Sequence, residues 1–186
     1  MVNCFFGFGS LVNTATHRYT AVAPATVNGW SRIWINSDQY EHAFLSVQPD
    51  ETTDIQGLMA EVPDNDWTEL DRRELGYQRR KLNAGEWSLT PGSLDLVVSL
   101  NAANIQMYVA AGEPASPDKP ILWSYLETVL LGYYRFFGEQ GVHDFISSTE
   151  SWTAILDDRK APVYPRYVPA TGAAGELIVS LLSAYQ

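Results

Sequence analysis

The sequence predicts an α+β fold: a small mixed, mostly antiparallel β-barrel, closed or nearly closed, with helices packed on it. Two observations predict it. Strand-like runs follow one another with short connections, and helical periodicity is inserted late instead of alternating regularly with the strands. The lack of regular βαβ alternation excludes a doubly wound sheet.

Residues 2–8, 27–36, 43–48, 55–62, 77–82, 94–100 and 104–109 read as strands from their β-branched, aromatic and alternating apolar content. A first helix starts near Asp64 or Asp66, either of which can cap it, with Glu69 three residues after Asp66; Gly76 stops it. A second opens near Asp118-Lys119-Pro120 and sets Leu122, Tyr125, Leu126, Val129, Leu130 and Tyr133 at helical core spacing, ending at Gly138. A short third helix covers residues 142–148. Residues 83–92 and 112–120 read as loops from their Gly, Pro and polar content, and neither a repeat nor a linker interrupts the chain.

The 186 residues, 46% hydrophobic and 18% charged, predict one domain spanning residues 1–186 with a sizeable core. The N-terminus lacks a basic region before its apolar stretch, and no run approaches the ~18 apolar residues of a membrane span. A cytoplasmic protein without a membrane partner is the expectation, as a monomer or homodimer. A net charge of −10 argues against nucleic acid, because phosphate binding needs clustered Lys and Arg. Five of the twelve basic residues, Arg72, Arg73, Arg79, Arg80 and Lys81, nevertheless fall within ten positions, where one or two can serve a carboxylate ligand. The single cysteine, Cys4, excludes an internal disulfide and reads as core.

Two segments carry chemistry. Gly7-Phe8-Gly9-Ser10-Leu11-Val12 leaves the first strand; Gly9 allows close backbone approach, so amides of residues 9 to 12 can meet an oxygen, with the Ser10 hydroxyl as a further donor. The same residues also suffice for an ordinary tight turn. Val12 stands where a third glycine would complete a dinucleotide fingerprint, and no lysine follows to make a phosphate loop. In the second segment, Glu74 lies seven residues after Trp67 and four after Leu70, one helix face whose apolar members mark it as buried. Desolvation and the helix C-terminus both raise a carboxyl pKa there, which suits a general base; an inward ion pair with an arginine such as Arg79 accounts for the residue equally well.

His17, His42 and His143 are scattered without metal-ligand spacing, so neither a metal nor a cofactor is expected. Ser10 lies outside a G-x-S-x-G elbow and has no local histidine, leaving a serine-dependent amidohydrolase with weak support.

The two segments resemble the gamma-glutamylcyclotransferase superfamily, including its ChaC-like and bacterial members. Gly7 to Val12 is similar to the family's Y-G-S-L loop, and Leu70-Asp71-Arg72-Arg73-Glu74 with Gly76-Tyr77-x-Arg79 is similar to its L-D-x-x-E-x-G-Y-x-R segment. Residues 24–34, with Asn28-Gly29-Trp30-x-Arg32, and Trp152 through Asp157-Asp158-Arg159-x-x-Pro162-x-Tyr164-Pro165-Arg166 extend the likeness over most of the chain. The resemblance implies a small mixed β-barrel with helices, no metal, and release of 5-oxoproline from a small gamma-glutamyl compound, with a place in glutathione metabolism. It also implies Glu74 as the base and the loop as the holder of the glutamyl group. Tyr77 and Tyr164 are further candidates to close the pocket, and Arg79 and Arg166 to meet a carboxylate. Phe8 stands where the family usually has Tyr, which keeps a non-catalytic small-molecule binding domain on the same fold as an alternative.

Overall fold

The structure, a computed structural model, describes residues 2–38, 40–90 and 104–183. Its frame is a long hairpin of β2 (Val22–Asn36) and β3 (Phe44–Glu61). The strand β1 (Asn3–Gly7) pairs antiparallel with β3 and parallel with β6 (Asn104–Val109), and β4 (Gln78–Lys81) pairs antiparallel with β6. The main order is β4-β6-β1-β3-β2-β5, with β5 at Trp87–Leu89. Two short strands add to the far half of β2: β7 (Glu113–Pro114), and β9 (Thr149–Glu150), which runs parallel to it. A separate parallel pair joins β8 (Ile121–Leu122) to β10 (Ile155–Leu156).

The α+β class and the mixed, mostly antiparallel pairing match expectation; closure does not. Among the described residues β4 and β5 stay unpaired to one another, because the far half of β2 spends its edge on β7 and β9 instead of returning to β4. Among the described residues the sheet is therefore open. The predicted strands at 43–48 and 55–62 form the single strand β3, since polar residues 50–54 continue the hairpin arm. Pro49 falls at a register shift between Asn28 and Trp30, a bulge position where a missing amide costs no ladder bond. The strands β5 and β7 occupy stretches expected to be loops; with so few residues each, pairing partners decide them and periodicity has nothing to act on. The strand expected at 94–100 lies outside the described residues.

Among the described residues three α-helices pack on this sheet: α1 (Thr68–Arg73), α2 (Trp123–Ser147) and α3 (Gly172–Leu182). Helix α2 follows β8 directly and carries both predicted late helices, broken at Gly138, whose φ of 66° is open to glycine without strain. Leu126, Val129, Leu130 and Tyr133 are buried on the sheet, as their spacing predicts. Helix α3 was not expected; Ala174, Ile178 and Leu182, at i, i+4 and i+8, seat it in the main core. Cys4 is buried, free, and its thiol pKa is pushed up to about 11, chiefly by burial.

A smaller apolar cluster decides where the chemistry lies. Phe5 of β1, Leu11 of the following turn, and Trp67 and Leu70 of the α1 segment all pack with Tyr108 of β6. Burying such side chains contributes roughly 1.5–3 kcal/mol each, enough to hold a six-residue helix that would not persist alone. The loop and the α1 segment, sixty residues apart, thereby meet.

Candidate active site

After β1 the chain makes a tight turn over Ser10–Val12, closed by Val12 N–H to Gly9 O at 3.0 Å and Asn13 N–H to Ser10 O at 3.1 Å. The amides of Gly9, Ser10 and Leu11 have no hydrogen-bond acceptor among the described residues. Residues Gly7, Phe8, Gly9, Ser10 and Leu11 line a cavity of ≈ 30 Å³. Val12 does not: its amide closes the turn and its side chain lies in the main core, so of the four candidate amides three remain free.

Two clamps fix this turn from behind. Arg32, fully buried, donates to Phe8 O at 3.3 Å, to Ser148 Oγ at 2.6 Å, to Tyr133 Oη at 2.6 Å and to Gln56 O. The Tyr133 hydroxyl lies 2.8 Å from Phe8 O as well. On the exit side, buried Asn13 donates to Thr128 O of α2 at 2.8 Å and accepts from Arg135 at 3.0 Å. The sequence signal for Arg32 was only its place in a resembling motif, and Asn13 carried none.

Opposite the turn stands Glu74, one residue past α1, where its backbone leaves helical geometry. The short helix is set by Asp66, whose Oδ1 accepts the Thr68 amide at 2.9 Å; Asp64 belongs to a preceding 3₁₀ turn. After Glu74 the chain turns through Gly76 at φ 93°, and Tyr77 N–H bonds Glu74 O at 3.0 Å. The Glu74 side chain is 17% exposed. Its Oε1 accepts from Arg73 Nε at 3.1 Å, while Oε2 has no hydrogen-bond partner among the described residues. Burial raises its pKa above the ordinary carboxyl value; the charges of Arg73, then Arg166, oppose that rise.

The partner of Glu74 is therefore Arg73, not Arg79. Arg73 also donates to Ser10 Oγ at 3.1 Å, to Thr16 O at 2.8 Å and to Thr16 Oγ1 at 3.0 Å, bolting the turn to the carboxylate. Arg79 pairs instead with Asp71 at 3.1 Å and lies over the Trp67 ring, away from the cavity.

Three tyrosines complete the lining. Tyr77 donates to Leu45 O at 2.6 Å and Tyr108 to Asp71 Oδ1 at 2.5 Å, while the Tyr125 hydroxyl has no hydrogen bond among the described residues. Burial raises the pKa of all three, so the hydroxyls stay protonated and able to donate. A Cβ on Gly9 would come within 2.8 Å of Tyr125 Oη, so the glycine is what lets this ring cover the turn. Tyr164 does not line the cavity but packs edge-on against Tyr125, ring centroids 5.1 Å apart, and its buried hydroxyl lacks a hydrogen bond. Asp158 delivers it: the carboxylate accepts from Ser124 N at 2.8 Å and Val163 N at 2.9 Å, capping α2 and holding the 158–164 segment on it. Arg166 stands beyond Glu74 on the rim of a neighbouring cleft. Tyr108 and Tyr125 were missed as site residues because each sits at ordinary core spacing in its element.

Among the described residues no cluster of three or more His, Cys, Asp or Glu could hold a metal ion, and no helix is long and apolar enough to cross a membrane. His17 accepts Tyr19 N–H on Nδ1 at 3.2 Å and so presents Nε2–H to Leu11 O at 3.0 Å; burial lowers its pKa and keeps it neutral.

A desolvated carboxylate facing unpartnered amides, covered by neutral tyrosines, defines a small-molecule site suited to proton transfer beside a developing negative charge. The family profile described as "Gamma-glutamyl cyclotransferase, AIG2-like" matches residues 5–122, more than half the chain and the whole of the turn and Glu74. The chain belongs to this family. Among solved structures it is similar to a gamma-glutamyl cyclotransferase (12% identity, TM-score 0.56, covering 97% of this chain and 99% of the other). It is similar also to an uncharacterized protein from Homo sapiens (14%, 0.55, 95% and 97%) and to a yeast gamma-glutamyl cyclotransferase specific to glutathione (12%, 0.53, 80% and 97%). At these identities the structural likeness shows the fold. No curated protein matches the chain in sequence.

Proposed function

We propose that the protein is a gamma-glutamylcyclotransferase that needs no cofactor and releases 5-oxoproline from a small gamma-glutamyl compound, with Glu74 as its base. The observation that carries this reading is the free Oε2 of Glu74 on the same cavity as the three unpartnered amides of Gly9, Ser10 and Leu11. Ionised Glu74 takes a proton from the substrate's α-ammonium. The freed amine attacks its own γ-carbonyl carbon and forms the ring C–N bond, while the turn amides receive a negatively charged oxygen of the reacting group. The γ-amide C–N bond then breaks. Glu74 returns its proton to the leaving nitrogen, a second shifts there from the ring nitrogen, and the amine departs as an ammonium ion. Ring closure within one bound molecule draws on intramolecular effective molarity and requires no enzyme nucleophile.

Ser10 fits this reading better than a nucleophile's role. Its hydroxyl faces the Arg73 guanidinium, which cannot accept a proton, and both ring nitrogens of His17 are engaged by backbone groups. A cavity of ≈ 30 Å³ has room for about one water, so a glutamyl group requires its lining to open.

Mass spectrometry of products from γ-glutamylalanine tests the reading. 5-Oxoproline is expected; free glutamate would indicate a hydrolase, and saturable binding without turnover a binding domain. An analogue N-acetylated on the α-amine is expected to be inert, and its cleavage at a comparable rate would rule out cyclisation.

A further inference from the structure

Four of the chain's nine arginines, Arg18, Arg72, Arg73 and Arg166, line one cleft of ≈ 420 Å³. Arg73 links this cleft to the Glu74 cavity: it lines the cleft, and its guanidinium holds Ser10 and Glu74, which line the cavity. The other five arginines all have partners. Arg79, Arg80 and Arg159 pair with Asp71, Glu86 and Asp157; Arg32 holds four oxygens; Arg135 holds Asn13. Arg73 likewise has partners in Glu74, Ser10 and Thr16. Arg18, Arg72 and Arg166 alone have neither an ion pair nor a hydrogen bond among the described residues, and all three meet here.

In a chain with 22 acidic and 12 basic residues, random placement would give surface arginines carboxylate neighbours. Here one carboxylate, Glu69, lines the cleft against four guanidinium groups, and His17 on its wall is neutral. A concave, locally positive site on a negative molecule attracts and concentrates an anion. Arginine's planar fork suits a carboxylate, which it grips through two parallel N–H···O bonds.

We propose that this cleft binds the carboxylate of the leaving group, so that the preferred substrates are gamma-glutamyl amino acids or peptides with a free carboxylate and not gamma-glutamyl amines. The proposal rests on the cyclotransferase reading for what occupies the neighbouring cavity. With the glutamyl end beside Glu74, whose carboxylate Arg73 holds, a departing portion that extends past Arg73 meets Arg18, Arg72 and Arg166.

The test compares γ-glutamylalanine with γ-glutamylalaninamide, which differ only in that carboxylate. Affinities are measured by calorimetry on Glu74→Gln protein, where bound substrate persists, with and without Arg18→Gln and Arg72→Gln together; both arginines are exposed, so the fold tolerates the change. The acid is expected to bind about tenfold more tightly than the amide, and the double arginine replacement to bring the ratio near one while leaving the amide's affinity unchanged. Equal affinities, a ratio unaltered by the double replacement, or no binding of either compound would overturn the proposal. Product analysis with the unmodified protein separates the two readings. Selective binding without 5-oxoproline from either compound sinks the cyclotransferase and keeps the cleft; 5-oxoproline from both at equal kcat/KM keeps the cyclotransferase and sinks the cleft.

Discussion

The Glu74 cavity and the arginine cleft are linked by Arg73, which lines the cleft and bonds Ser10 and Glu74 of the cavity, yet are built on opposite principles. The cavity is about one-fourteenth the size of the cleft, ≈ 30 against ≈ 420 Å³, and is lined by neutral tyrosine hydroxyls and backbone amides around one carboxylate. The cleft is dominated by guanidinium groups, three of them on exposed residues. Low dielectric in the first keeps a carboxylate basic and makes each fixed dipole count, as proton transfer requires. Solvent and salt weaken individual charges in the second, so recognition there depends on several acting together. Arg73 sets how far the two are coupled, because it lowers the Glu74 pKa that burial raises.

The largest effect expected is on the cavity side. Glu74→Gln keeps the shape and removes the base, so kcat should fall by ~10²–10⁴-fold with substrate affinity retained. A kcat near that of the unmodified protein would remove Glu74 from the mechanism. The same replacement has a stability signature. A carboxyl whose folded pKa is raised contributes stability below its unfolded pKa and loses it as pH rises through the folded value. The Gln variant should therefore gain melting temperature relative to the unmodified protein above that window and lose the advantage in acid.

Next in size, Gly9→Val drives a branched side chain into the Tyr125 hydroxyl and the substrate's path, for a loss of about 10²-fold in kcat/KM. A valine variant with ordinary kinetics would show that the Tyr125 ring does not cover the turn during turnover. Arg73→Gln tests the link itself. With the opposing cation gone, the Glu74 pKa should rise further, moving the acid limb of the kcat/KM profile to higher pH than in the unmodified protein. A limb that stays in place would uncouple the two regions. Ser10→Ala should cost less than about tenfold, since three backbone amides remain. Smallest of all, raising the ionic strength should erode the preference for γ-glutamylalanine over its amide while leaving turnover of the amide nearly unchanged, because the exposed arginines of the cleft are screened far more than the buried Glu74.

How much of this was legible in advance differs between residues. Glu74 could be placed on a buried face from Trp67 and Leu70, because helical spacing within one segment is local geometry. Its partner was not legible: the sequence suggested an arginine such as Arg79, but strand β4 carries Arg79 onto Asp71 and Trp67, and Arg73 takes the carboxylate. Tyr125 and Tyr108 read as core because periodicity records which face a residue occupies and says nothing of where its hydroxyl ends.

By itself the sequence determined the fold class, the strand-turn at residues 7–12, the burial of the Trp67–Leu70 face, the helical break at Gly138 and the family. Each depends on spacing or residue type over a few positions. The tertiary structure alone decided that the described strands leave the sheet open, that residues 44–61 form one strand across Pro49, that three of the four turn amides have no acceptor among the described residues, and that Asp158 carries Tyr164 onto Tyr125. It also gathered Arg18, Arg72 and Arg166 from three distant segments into one cleft. Such features depend on which partner wins a hydrogen bond or an ion pair across the chain, and that competition is settled only when the core has packed.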